Sequence, residues 1–426
     1  MQLPDYLEKK IDYPYFYKVE MNYPHHGLNN IESELTQKLE TVLQKDTIKS
    51  GDNVAICIGS RGISNLPEIV KITCRQISKI GAKPFIIPAM GSHGGATASG
   101  QKEVLASLGI TEEGCNAPIL SSMKAIKVGE ILDNVPVFFS EDAGKMDHSI
   151  CINRIKPHTK FKGPVESGLY KMLCIGMGKH AGAEACHQAA LRHGFSPVIK
   201  AAGDMIISKT NFRFGIAVVE DKYDDIMVVE AIKASELFKR ESELLETAKE
   251  NFPKLPVSKL DAIIIREIGK NISGSGMDPN VTGRAYDLME DDFSENMQAT
   301  RLAILDLTKE TAGNAIGLGN ADIITEKVFQ KLDYQKTLTN ALTSLSFRKA
   351  FIPLRLQSEE LAIKAAFTTT GIKDISQLKA VIIKSTRHLS EFWVSASLLP
   401  ELERIPDVKI IEKVHLNFDQ NGDLNL

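Results

Sequence analysis

The stretch from Asn53 to Met90 is the strongest constraint on what this chain can fold into. A short apolar run, NVAICIG (53–59), is followed by a helix-compatible stretch from about Pro67 to Gly81 and then by a second apolar run, KPFIIPAM (83–90). Strand, helix, strand at this spacing predicts two parallel strands joined by a crossover helix, because a tight hairpin joins only antiparallel neighbours. PVFFS (136–140), HSICINRI (148–155), FGIAVVE (214–220) and IMVVEAI (226–232) are further strand candidates. A polar helix-favouring stretch from Ala234 to Asn251 ends at Pro253 and Pro256, where a fixed φ and a missing N–H stop a helix. New apolar runs follow at LDAIIIREIG (260–269), RLAILDL (301–307), AVIIKST (380–386) and VKIIEKVHLNF (408–418). The expected architecture is α/β: two α/β domains with mostly parallel sheets and a cleft between them, covering 1–257 and 258–426.

Composition narrows the function classes. Lys plus Arg number 51 against 54 Asp plus Glu, a formal net charge of -3. No overall field draws in nucleic acid or an anionic membrane, so neither is expected as a partner and any anion site must be local. The charged start, MQLPDYLEKK, lacks the apolar core of a secretory signal, and no run reaches the roughly 18 apolar residues of a transmembrane helix. A cytoplasmic protein is expected. Cys57, Cys74, Cys115, Cys151, Cys174 and Cys186 stand singly without CxxC pairs, which predicts free buried thiols rather than a zinc or iron–sulfur cradle.

The chemistry-bearing residues follow the strands. The first strand runs into Gly59-Ser60-Arg61-Gly62 and then into a helix start at Leu66-Pro67, where unpaired N–H groups and the Arg61 fork attract phosphate or carboxylate. The second ends in PAMGSHGGAT (88–97), where His93 lies among residues too small to cover it and is able to exchange a proton near neutral pH. After HSICINRI comes the densest constellation, Asn153 to Lys171, with five Lys or Arg side chains in a Gly/Pro-punctuated turn that also holds His158. Three histidines, His180, His187 and His193, fall within fourteen positions beyond it, and on a helix His180 and His187 share a face. No HExxH pair accompanies them. In the second domain, Lys270 lies within a glycine-rich loop (269–280) and Arg284 shortly after it, and both suit a substrate carboxylate.

Together, PAMGSHGGAT (88–97) and IKPHTKFKGPVESGLYKMLCIGMGKH (155–180) resemble the nickel-dependent lactate racemase family, a group of 2-hydroxyacid racemases and epimerases. The resemblance implies an isomerase and makes the N-terminal domain the cofactor-binding one. It also implies a nickel-pincer nucleotide, nickel pyridinium-3,5-bisthiocarboxylic acid mononucleotide, supplied by separate cofactor-biosynthesis proteins. Carried over, His93 and His158 are the paired catalytic acid and base, and Lys171 is the lysine that holds the cofactor. His187, sixteen residues beyond Lys171, is the metal ligand. Ser60, Arg61 and Gly62 would hold the cofactor phosphate, and Lys270 or Arg284 the carboxylate of a small 2-hydroxy acid.

The sequence also departs from that family. Gly59-Ser60-Arg61-Gly62-Ile63 replaces the acidic Asp-x-Thr-Arg-Pro turn, and the interval from His158 to Lys171 is three residues longer than in the lactate enzymes. A hydroxy dicarboxylate or sugar acid is therefore as plausible a substrate as lactate. The alternative from another class is a non-catalytic anion- or nucleotide-binding protein on the same fold. A third reading is a zinc hydrolase using His180 and His187.

Overall fold

The structure, a computed structural model, describes residues 4–44, 48–285, 293 and 297–426. It divides into two compact units, His25–Phe252 and a second formed from Met1–Pro24 with Pro253–Leu426.

In the unit His25–Phe252, five strands form one sheet: β1 (Asn53–Ile58), β2 (Lys83–Pro88), β3 (His148–Arg154), β4 (Phe212–Glu220) and β5 (Ile226–Lys233), in the order β2-β1-β3-β4-β5. The first four are mutually parallel and β5 runs antiparallel to β4. The central strands are apolar because both faces are covered. Val54, Ile56 and Ile58 of β1, Ile150 and Ile152 of β3, and Phe214, Ile216 and Val218 of β4 share one core with Ile69, Val70 and Ile77 of helix α1 (Leu66–Lys79). Pro67 sits in the first turn of α1, where its missing N–H costs no helical bond. Three further helices matter for the site: α2 (Lys179–His193), α3 (Phe195–Lys209) and α4 (Leu237–Glu250). PVFFS is a strand as expected, Val135–Ser140, and it pairs with Ala125–Ile131 in a separate two-stranded hairpin.

The second unit carries an eight-stranded mixed sheet. Strands Lys259–Ile268, Gln298–Leu307, Ile323–Thr325, Leu354–Leu356 and Ala380–Ile383 are parallel. Glu391–Ser395 runs antiparallel to Ala380–Ile383, and Phe16–Met21 lies between it and Val408–Val414. The expected domain 1–257 is corrected here: its first 24 residues belong to the C-terminal unit, because Phe16 and Val19 are fully buried within that sheet. No helix among the described residues is long and apolar enough to cross a membrane.

Candidate functional site

Three loops at the carboxyl ends of β1, β2 and β3, the edge of a parallel sheet where ligands usually bind, carry the chemistry-bearing residues of the unit His25–Phe252. After β2, the chain from Ala89 to Thr97 turns on Gly91, Gly94 and Gly95, all with positive φ. A Cβ on Gly94 would meet the backbone of Gly100 and Gln101 at 2.6–2.7 Å, so only glycine allows that approach. The buried Gln101 side chain pins the loop by donating to the carbonyls of Gly91 (3.0 Å) and His93 (3.3 Å). His93 itself is exposed, and its Nδ1 hydrogen-bonds Ser60 Oγ from the loop after β1. Ser60, expected at a cofactor phosphate, is here the partner of His93.

The loop after β3 closes on itself through reciprocal backbone bonds between Lys156 and Ser167 (2.8 and 3.2 Å). Inside it, the buried Glu166 carboxylate accepts the His158 N–H at 2.7 Å and pairs with Lys249 of α4 at 3.2 Å. The interval from His158 to Lys171 thus contains an internal carboxylate that organises the loop.

A helical turn, Leu169–Lys171, then widens into a π-helical segment, Met172–Gly176, before α2 begins. Such wide turns recur at functional sites because they redirect a side chain without ending the helix. Lys171 Nζ lies 2.8 Å from His158 Nε2. His158 Nδ1 accepts the Lys160 N–H at 3.0 Å, so a neutral imidazole carries its proton on Nε2, where only the neutral form of the Lys171 amine can accept it. The electrostatics agree: desolvation first, then the positive charge of Arg61, bring the Lys171 pKa down to about 8. With a pKa of about 8 the amine is mostly protonated at neutral pH, and the neutral form that can accept from the imidazole grows as the pH rises toward 8.

His187, half-buried on α2, sits edge-on to the Phe195 ring (5.7 Å between centroids). Phe195 stacks on Phe161 (5.1 Å), and the His158 ring lies 6.4 Å away. Seven of the nine expected site residues thus fall in one unit, on one sheet edge and the helix beyond it. His93 touches Ser60, Arg61 acts on Lys171, Lys171 bonds His158, and Phe195 lies beside both His158 and His187.

The other expectations fare differently. His180 is exposed, and His193 Nε2 faces Asp133 Oδ2 at 3.5 Å. Among the described residues, the grouping of three donors within metal-binding reach is His25, Asp221 and Asp225, so the zinc site built on His180 and His187 is not formed. Asp221 in that trio braces its own turn through the N–H groups of Tyr223, Asp225 and His26. In the second unit, the nearly buried Arg284 guanidinium binds Asp322 (2.7 Å) and the carbonyls of Ala299 (2.7 Å) and Thr300 (3.0 Å). It is a structural anchor, and the expected carboxylate role does not suit it. Lys270 Nζ donates to Gly274 O within its own loop at 2.6 Å. All six cysteines are free and buried, with burial pushing the thiols of Cys57 and Cys74 up to about 12.

Residue-by-residue reading of the sequence missed Gln101, Lys179 and Glu241. Lys179, wholly buried at φ 57°, donates to Pro88 O at 2.6 Å and ties the start of α2 to the end of β2. Glu241 interrupts the apolar stripe Leu237, Leu244, Leu245 and Ala248 of α4, and a carboxylate in such a stripe was the available signal.

No protein-family model matches the sequence, and no curated protein matches it significantly. Among solved structures, the lactate racemase apoprotein from Thermoanaerobacterium thermosaccharolyticum superposes with a TM-score of 0.50 at 14% identity, covering 87% of this chain and 98% of that one. A protein from Thermotoga maritima gives a TM-score of 0.49 at 16% identity over 66% of this chain and 72% of that one. At such identity the first likeness is one of fold: this α/β chain has a lactate-racemase-like architecture.

Proposed function

We propose that this chain is a racemase or epimerase of a 2-hydroxy acid that works with a nickel-pincer nucleotide. The observation that carries the reading is the Lys171–His158 pair, a depressed amine hydrogen-bonded to an imidazole, one strand end away from the Ser60–His93 pair. A fold like that of lactate racemase agrees with it.

The residues present suit such a cofactor. Lys171 offers the partly neutral amine that attachment to an acyl group requires. Arg61, whose charge reaches Lys171, would face the cofactor phosphate, together with the backbone of Gly62. His187 offers an imidazole on α2, and the metal's other donors would come from the cofactor. When bound, the group would supply a reversible hydride acceptor for the α-hydrogen.

The protein's own task is proton handling at the hydroxyl. Inverting a carbinol centre needs a base for either hand of substrate, and His93 and His158 stand on separate loops, each oriented through Nδ1. For His158 to accept a proton at Nε2, the Lys160 N–H contact must open and the proton move to Nδ1. Were Lys171 to hold the cofactor, His158 Nε2 would be free of that amine for the exchange.

The test is direct. Protein purified from a host that makes the cofactor should contain nickel and should scramble the α-carbon of a member of an enantiopure hydroxy-acid panel. His93→Ala and His158→Ala should each lower kcat by about 100-fold or more, with unchanged circular dichroism. Full activity in either variant removes that histidine from the mechanism, and reproducible absence of nickel favours a non-catalytic binder.

A further inference from the structure

Two buried carboxylates hold the backbone on either side of the Lys171–His158 pair, and both are organised by one helix. Glu241, fully buried on α4, accepts the Tyr170 N–H at 2.9 Å, immediately before Lys171. Gly168 allows this approach, since a Cβ there would collide with the Glu241 carboxylate. Eight residues along the same helix, Lys249 pairs with Glu166, whose second carboxylate oxygen accepts the N–H of His158 itself. Tyr170 adds a lateral tie, its ring edge-on to Phe238 of α4 (5.2 Å) and its hydroxyl donating to Asp204 (2.9 Å).

We infer that Glu241 is a positioning residue, and that α4, through Glu241 at one end and Lys249 with Glu166 at the other, sets the separation of Lys171 from His158. The inference deepens the proposed function, because it assigns the support of the lysine that would hold the cofactor. A carboxylate bonded to one backbone N–H and a second bonded to the other fix two chain segments relative to a rigid rod. The amine is then held in reach of the imidazole, partly shielded from water. The charged and titratable groups that face it are Arg61, His158 and Cys174.

The test uses the full-length protein without cofactor. Acetylation of lysines by acetic anhydride is followed by peptide mass spectrometry across pH 6–11. In the wild type, Lys171 reactivity should titrate with a midpoint near 8, well below that of exposed Lys200. Glu241→Ala should raise the Lys171 midpoint by about one unit or more, as the loosened amine reaches solvent, with Lys200 unchanged. Glu241→Gln, whose carbonyl still accepts the Tyr170 N–H, should restore the wild-type value. If Glu241→Ala does not fold, Lys249→Met loosens the other end and should move the midpoint in the same direction. An unchanged Lys171 midpoint in the folded variant overturns the inference. A wild-type midpoint in the ordinary lysine range counts against the proposed function instead, and loss of racemase activity alone bears only on that function.

Discussion

Glu241 and Lys171 are ionisable groups whose neutral forms the fold favours, and they give opposite pH signatures. Burial raises the Glu241 pKa from 4.5 to about 8, so between those values the folded chain keeps a proton that the unfolded chain has released. Stability therefore falls as pH rises through that window. Lys171, lowered from 10.5 to about 8, is already deprotonated in the folded chain where the unfolded chain still holds its proton, and stability rises between 8 and 10.5. Glu241→Gln should flatten the loss of Tm between pH 5 and pH 8, read by calorimetry. An undiminished loss would show that other groups carry it. At this scale the sequence exposed the reactive residues more readily than their supports. His93, His158 and Lys171 stand in glycine- and proline-marked loops, whereas Gln101 and Glu241 act from helices whose partners lie ten to seventy residues away. Arg284 misled for a related reason: beside a glycine-rich loop it reads as a ligand fork, yet its partner Asp322 lies 38 residues on.

Among the elements, the parallel strands β1 to β4 were legible because they are buried on both faces and read as unbroken apolar runs. Phe16–Met21 was not. Its buried positions, Phe16, Val19 and Met21, break the period of two, and a register shift between Lys18 and Val19 against Val408–Val414 accounts for the break. The loop after β2 carries a sharper dependence on geometry. Gly94→Ala places a methyl group against the first turn of Ala98–Ser107 and at a φ of 65°, a combination expected to cost about 1–3 kcal/mol. The check is a lowered Tm together with faster proteolysis between residues 89 and 97; an unaltered Tm would mean that the loop yields without strain.

For the whole molecule, the chain forms part of one unit, completes another over 25–252, and then returns. Removing residues 1–24 should leave β1 to β4 protected from hydrogen exchange. It should expose the amides of Glu391–Ser395 and Val408–Val414, which flank Phe16–Met21 on its two sides. Equal loss of protection in both sheets would contradict an independent core for 25–252. The placing of that early strand also bears on biosynthesis. Made before residues 25–252, it has no neighbour to join until Glu391–Ser395 has been synthesised. Meanwhile the insertion between Pro24 and Pro253 is free to fold behind it. Translation thus leaves a nascent ribbon whose Phe16 and Val19 side chains stay without their sheet until Glu391–Ser395 and Val408–Val414 arrive.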